Sequence, residues 1–226
     1  MTATGRPPFR ADHIGSLLRP AALRHAFRRH AAGEIGEQDY ARVQDQCIRD
    51  VVRMQEEIGL QVVTDGEFRR ASYWNRFATR VEGLALRPAG IKFRDESGHE
   101  TEFEAPYAAG KVRRRQPLAV DEFVFLRGVT KVAPKITLPA PSTMHFYGSS
   151  DYAAPAAYSD IETFFADLGR IYAEEIAELA TAGCRYVQLD EVAIALLGDP
   201  AIRANVKRVG GDPDRLVDRY IEAINK

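Results

Sequence analysis

The segment Arg185–Leu197, RYVQLDEVAIALL, constrains this chain most, together with the helical run that leads into it. From Ile161 to Leu179 apolar residues recur at helical spacing, and Gly183 closes the run. Ser159 and Glu162 read as a capping box at its start. Tyr186, Val187 and Leu189 then make a short apolar strand that stops at two acids, Asp190 and Glu191. Helix, glycine turn and polar-tipped strand form half of a βαβ unit, so the chain is expected to be α/β with a parallel sheet. Acids at the carboxyl end of such a strand point to a ligand site. The competing reading makes Asp190 the cap of the next helix and leaves Glu191 in water.

The same arrangement recurs upstream. A strand-like segment from Phe9 to Ile14 ends in His13-Ile14-Gly15-Ser16, and Pro20 suits the first turn of a helix. A helix from about Glu37 to Ile58 closes at Gly59, and Leu60–Val63 runs into Thr64-Asp65-Gly66-Glu67. Gly66 permits a left-handed backbone between two acids, which suits a turn that aims Glu67 inward; an ordinary Asp-Gly turn is the alternative. Residues 68–76, FRRASYWNR, place Trp74 beside Tyr73 and three arginines, either to stack a flat anionic ligand or to answer Asp65 and Glu67. A third strand, Lys135–Leu138, ends in PAPSTMHF, which brings Ser142 and His145. A last helix starts at Asp212-Pro213.

Between 78 and 127 the helical period fades and alternating stretches suggest an inserted β-hairpin. Its basic run, Lys111-Val112-Arg113-Arg114-Arg115, is either a solvated face or a contact for a polyanionic tail.

Composition limits the rest. The 226 residues carry a net formal charge of −1 and are 45% hydrophobic, enough for one domain and without the positive field a nucleic-acid binder needs. Cys47 and Cys184 read as small buried residues of a reducing compartment, not a disulfide. No signal-peptide core and no membrane-length apolar run is present, so a cytoplasmic location is expected.

Strands ending HIGS, TDGE, LPAPST and QLDE, in that order, resemble the catalytic domain of cobalamin-independent methionine synthase, in particular its short single-domain homologues. The resemblance implies a TIM (β/α)₈ barrel, with residues 1–226 forming about its first half and 78–127 inserted. It implies transfer of a methyl group from a methylated folate to homocysteine, with zinc holding the thiolate. Carried onto this sequence, Ile14, Gly15 and Ser16 would contact the amino acid, Glu67 and Asp190 its ammonium group, and Glu191 lies adjacent. His13, Asp65, Trp74, Ser142 and His145 are the further residues expected to line the pocket. No catalytic residue is assigned.

The family's zinc ligands begin with a His-x-Cys motif on a later strand that this chain lacks, so no metal ligand is expected here and the isolated chain is expected to be inactive. A half barrel should also leave open edges and an uncovered apolar interior, which suggests self-association or a complementary half. The alternatives are another zinc-dependent alkyl-thiol transferase and a non-catalytic half-barrel assembly module.

Overall fold

The computed structural model describes residues 12–225 except 92, 95, 96, 98 and 102. Part of the expected first strand therefore lies outside the described residues, and Asp12, His13 and Ile14 form no strand. After Pro20 comes α1 (Ala21–Ala31), then α2 (Glu37–Glu57), whose buried face of Gln44, Cys47, Ile48, Val52 and Gln55 packs toward β1 (Val62–Val63).

A short helix, α3 (Asn75–Arg80), leads into β2 (Val81–Pro88). Two short strands, β3 (Phe93–Arg94) and β4 (Glu100–Thr101), pair antiparallel at the tip, and β5 (Glu104–Arg114) returns antiparallel along β2. The register breaks between Glu82 and Leu84, where Gly83 takes φ +87°. A Cβ at Gly83 would lie 2.4 Å from the Lys111 carbonyl oxygen, so this bulge admits only glycine.

The ladder ends at Arg114, and residues 120–127 belong to α4 (Val120–Val129) instead of the inserted region. The apolar pattern hid this helix because its buried face, Glu122, Phe123 and Leu126, includes a carboxylate.

Next come β6 (Ala133–Pro134) and β7 (Ile136–Pro139), which Lys135 joins into one run. The Lys135 amide donates to Val63 O (2.9 Å) and the Ile136 amide to Tyr186 O (3.1 Å), so the run bonds β1 on one edge and β8 (Val187–Asp190) on the other. Both pairings are parallel. After β7 come α5 (Thr143–Phe146) and α6 (Ile161–Thr181); beyond β8 lie α7 (Ala193–Leu196), α8 (Pro200–Arg208) and α9 (Pro213–Asn225).

The α6 cap differs from the expectation: Asp160 takes the Thr163 amide at 2.6 Å, and Ser159 only donates to Asp160. Asp160 wins because a carboxylate accepts more strongly than a hydroxyl at the positive end of a helix.

Two apolar clusters hold the fold. The larger packs α6 against the hairpin and α4 around Phe123, Phe164 and Leu168, each fully buried. The smaller joins α1 and α2 to β1 and α4 through Leu23, Ile48, Val63 and Leu126. The strand face turned toward the N-terminal loop carries Lys135, Thr137, Gln188 and Asp190, which hydrogen-bond to that loop, to the Glu67 turn or to each other. This surface is therefore polar, not the apolar interior expected, because alternate strand residues send their apolar side chains to the helices instead.

Candidate functional site

Three loops meet at the carboxyl ends of these strands. In the first, Gln55 brackets Thr64, accepting its amide (3.0 Å) and donating to its carbonyl (2.9 Å). The following turn is left-handed at two successive residues, Gly66 (φ +68°) and Glu67 (φ +59°). Glu67 is not glycine, so this conformation costs on the order of 1–2 kcal/mol. Asp65 holds it by accepting the Glu67 amide at 2.9 Å. The strain turns the Glu67 side chain inward, where it is 5% exposed and Thr137 Oγ1 donates to Oε1 at 2.7 Å.

Arg70 organises the ground beneath. It donates to Glu122 (Nη2 to Oε2, 2.7 Å) and to both Thr137 Oγ1 and Thr137 O at 2.9 Å, and stands 3.5 Å from Glu67 Oε1. Burial works against its charge, but Glu122, Asp65 and Glu67 outweigh it and hold the guanidinium protonated. Glu122, Arg70, Thr137 and Glu67 thus form one buried relay. Arg70 does answer the turn, but its main partner is Glu122, on α4.

The second loop is Asp12–Leu17. Lys135, fully buried, reaches Asp12 Oδ1 (2.8 Å), the His13 carbonyl and Gln188 Oε1 (2.9 Å). Gln188 Nε2 then donates to Ile14 O (2.6 Å) and to Asp190 Oδ1 (2.5 Å), and Thr64 Oγ1 to Gly15 O (2.6 Å). Gly15 (φ +127°) is so close to the turn that a Cβ there would lie 2.6 Å from Thr137 Cγ2 and 3.4 Å from Glu67 Oε1. Ser16 is exposed on this loop and Ile14 is 75% exposed.

The third group is Asp190, whose carboxyl is pushed up by burial and by the Glu67 charge, with the Gln188 hydrogen bond opposing. Gly15, Glu67 and Asp190 therefore share one neighbourhood. Glu191 departs from it: Oε2 accepts from Ser142 Oγ (2.5 Å) and Oε1 from the Ile194 amide (2.9 Å). Glu191, not Asp190, thus caps the next turn, while the Asp190 carboxylate accepts from Gln188.

Several residues expected at the pocket lie elsewhere. Trp74 (8% exposed) packs in the larger core. His145 Nδ1 bonds Tyr220 Oη at 2.8 Å among Tyr152 and Phe165, and burial lowers its pKa to about 3, so it is a neutral core histidine. Ser142 is fully buried as a partner of Glu191. His13 turns its Nε2 to Gln55 (2.8 Å), and Asp65 (3% exposed) supports the turn from below. Within the basic run, Arg114 pairs with Glu175 and Glu178 on α6, Lys111 with Asp167 on the same helix, and Arg115 with Glu82 on β2.

Sequence reading missed Lys135, Thr137 and Gln188. Their signal was the period of two that sets Lys135 with Thr137, and Gln188 with Asp190, on one strand face.

As for zinc, no group of three or more His, Cys, Asp or Glu side chains among the described residues is placed to hold a metal ion. Cys47 and Cys184 are buried and their thiols are pushed up by burial, the opposite of a ligating thiolate. The described residues do not fit the metal. No described helix is long and apolar enough to cross a membrane.

Parallel strands flanked by helices, with two acids and a glycine loop gathered at their carboxyl ends, define an α/β protein of the kind that places ligand groups there. The chain belongs to the cobalamin-independent synthase catalytic-domain family, whose pattern matches residues 9–207. It is 34% identical over 223 residues to the uncharacterized protein YxjH of Bacillus subtilis, covering 97% of this chain and 58% of that protein. It is 32% identical over 186 residues to a methionine synthase of Sulfurisphaera tokodaii, covering 80% of this chain and 51% of that enzyme. Among solved structures it is similar to a Listeria monocytogenes protein provisionally assigned as a vitamin-B12 independent methionine synthase, with TM-score 0.75 and 30% identity, covering 96% of this chain and 60% of the other. The chain thus spans little more than half the length of these relatives.

Proposed function

We propose that this chain is the amino-acid-holding part of a methionine-synthase-type methyltransferase, one that moves a methyl group from a methylated folate to homocysteine sulfur. The observation that carries this reading is the joint placement of Glu67, Asp190 and Gly15. The Glu67 charge raises the cost of ionising Asp190, an ammonium group answers both carboxylates, and the Gly15-Ser16 backbone supplies N–H groups for a carboxylate. A zwitterionic amino acid satisfies both ends. A thiol acceptor without an ammonium group would leave Glu67 buried beside Asp190 without a cation from the ligand, which disfavours other alkyl-thiol transfers.

In this reading the described strands are the first part of a (β/α)₈ barrel, and the metal that activates the thiol is held by residues outside the described set. The exposure of Ile14 (75%) and Leu18 (98%) on the N-terminal loop supports a barrel completed over this face, by the remainder of a longer polypeptide or by a complementary half.

Isothermal titration with L-methionine and L-homocysteine tests the site. Binding should weaken about tenfold or more in Glu67→Gln and in Asp190→Asn, the loss expected when a charge-assisted hydrogen bond becomes a neutral one. Unchanged affinity in both variants would remove the assignment. The 226-residue chain alone should show no methyl transfer, and turnover by it would overturn the proposed division of the barrel.

A further inference from the structure

A cavity of about 220 Å³ opens between α1 and α2 on the side of the Glu67 turn formed by Phe68, Arg70 and Ala71. Its floor is apolar, with Leu23 1% and Phe68 2% exposed. One wall is the aromatic pair Phe27 and Tyr40, with ring centroids 6.4 Å apart and planes tilted by 59°. Phe27 is 51% exposed, so an aromatic face is already presented to whatever enters.

The rim has one sign of charge. Arg19, Arg24 and Arg28 line it, and no acid among the described residues does. Arg19 donates to the Arg70 and Ala71 carbonyls, which anchor its guanidinium without neutralising it. On α1, Arg29 is answered by Glu34 and His30 by Glu37, whereas Arg24 and Arg28 form no ion pair among the described residues. Arg70 is neutralised separately by Glu122. A chain of net charge −1 thus concentrates three unanswered guanidinium groups over an apolar floor.

We infer that this groove is a binding site for a small aromatic anion, an aryl carboxylate or its sulfonate or phosphate equivalent. The ring system covers Phe27 and Leu23, and the anion takes the planar donors of Arg24 and Arg28, one helical turn apart on the same face. The volume lies below the usual 300–1,000 Å³ of ligand pockets, so it accepts one or two fused rings and not a protein segment. An amino acid is a poor occupant, because its ammonium would face three like charges. The groove is therefore separate in chemistry from the Glu67 and Asp190 site.

The test uses 2-naphthoate and its neutral twin 2-naphthamide, titrated calorimetrically into the 226-residue chain. Naphthoate is expected to bind one-to-one and about tenfold or more tighter than naphthamide. The double variant Arg24→Gln/Arg28→Gln should bring naphthoate to the naphthamide level, while Phe27→Ser should weaken both ligands. These three side chains are exposed, so the variants retain the fold, which circular dichroism verifies. Glu67→Gln, which tests the amino-acid site, should leave naphthoate binding unchanged, so the two assignments fail separately. Equal affinity for the two probes overturns the inference, as does an unaltered naphthoate affinity in the double variant or in Phe27→Ser. Absence of binding up to about a millimolar also overturns it.

Discussion

Asp65 should make this protein less stable as pH rises through the range where its own carboxyl ionises. The side chain is 3% exposed; Oδ1 accepts the Glu67 amide, and Oδ2 has no partner among the described residues. Burial, and after it the Glu122 charge, raises the pKa from the ordinary 3.8 to about 6, with Arg70 pulling the other way. The unfolded chain therefore loses this proton first. Well below pH 3.8 both states hold it and Asp65 contributes nothing to the pH dependence. Between the two pKa values the unfolded state is progressively favoured, and above about pH 6 the full cost stands. A separation of about two pH units corresponds to about 3 kcal/mol at neutral pH, a large share of a domain's net stability.

Asp65→Asn removes the ionisation and keeps an oxygen for the Glu67 amide. Its new Nδ2 takes the place of an unpartnered oxygen, and an unmet buried donor costs about 1–3 kcal/mol, but that cost does not vary with pH. The pH-dependent difference is thus the clean quantity. Urea denaturation of both proteins from about pH 3 to about pH 8 should show the variant gaining about 3 kcal/mol relative to wild type across the range. Titration of groups that do not interact with Asp65 cancels in this difference. A difference that stays flat within about 1 kcal/mol would refute the reasoning, and would mean that the orphan oxygen is solvated or that Arg70 offsets its burial fully.

Other outcomes follow from the same geometry. Arg70→Met leaves Glu122, 1% exposed, without its main cation and should destabilise by about 3–5 kcal/mol in chemical denaturation; a smaller loss would mean that Arg76, 3.2 Å from Glu122, carries the pair. Gly15→Ala forces a Cβ to 2.6 Å from Thr137 Cγ2 at φ +127°, so methionine binding by titration calorimetry should be lost while the melting temperature falls only modestly. Phe164→Ala empties the centre of the larger core and should cost about 3–5 kcal/mol in urea unfolding, with no specific effect on ligand affinity near the midpoint-corrected folded population.

What the sequence made legible was whatever it wrote locally. An apolar run that stops at an acid is visible without coordinates, and so Glu67 and Asp190 stand at strand ends in a shared neighbourhood. The helical spacing of α2 and α6 was likewise plain, because each buries one continuous face across 21 residues. The division of labour between Asp190 and Glu191 was not, since it turns on which carboxylate meets the Ile194 amide and Ser142, a choice fixed by the angle at which the chain leaves β8. Nor was the burial of Trp74 and His145, because a polar ring beside a strand end reads alike whether its neighbours are Tyr220 and Phe165 or water. The Arg70–Glu122 pair joins residues 52 apart, one of them on a helix the charge pattern disguised. These long-range polar links also explain why the inward strand face is not greasy. Buried Lys135 and Glu67 are tolerable only where partners come from several separate segments, so the groups hardest to read from sequence are the ones that hold Glu67, Gly15 and Asp190 in one place.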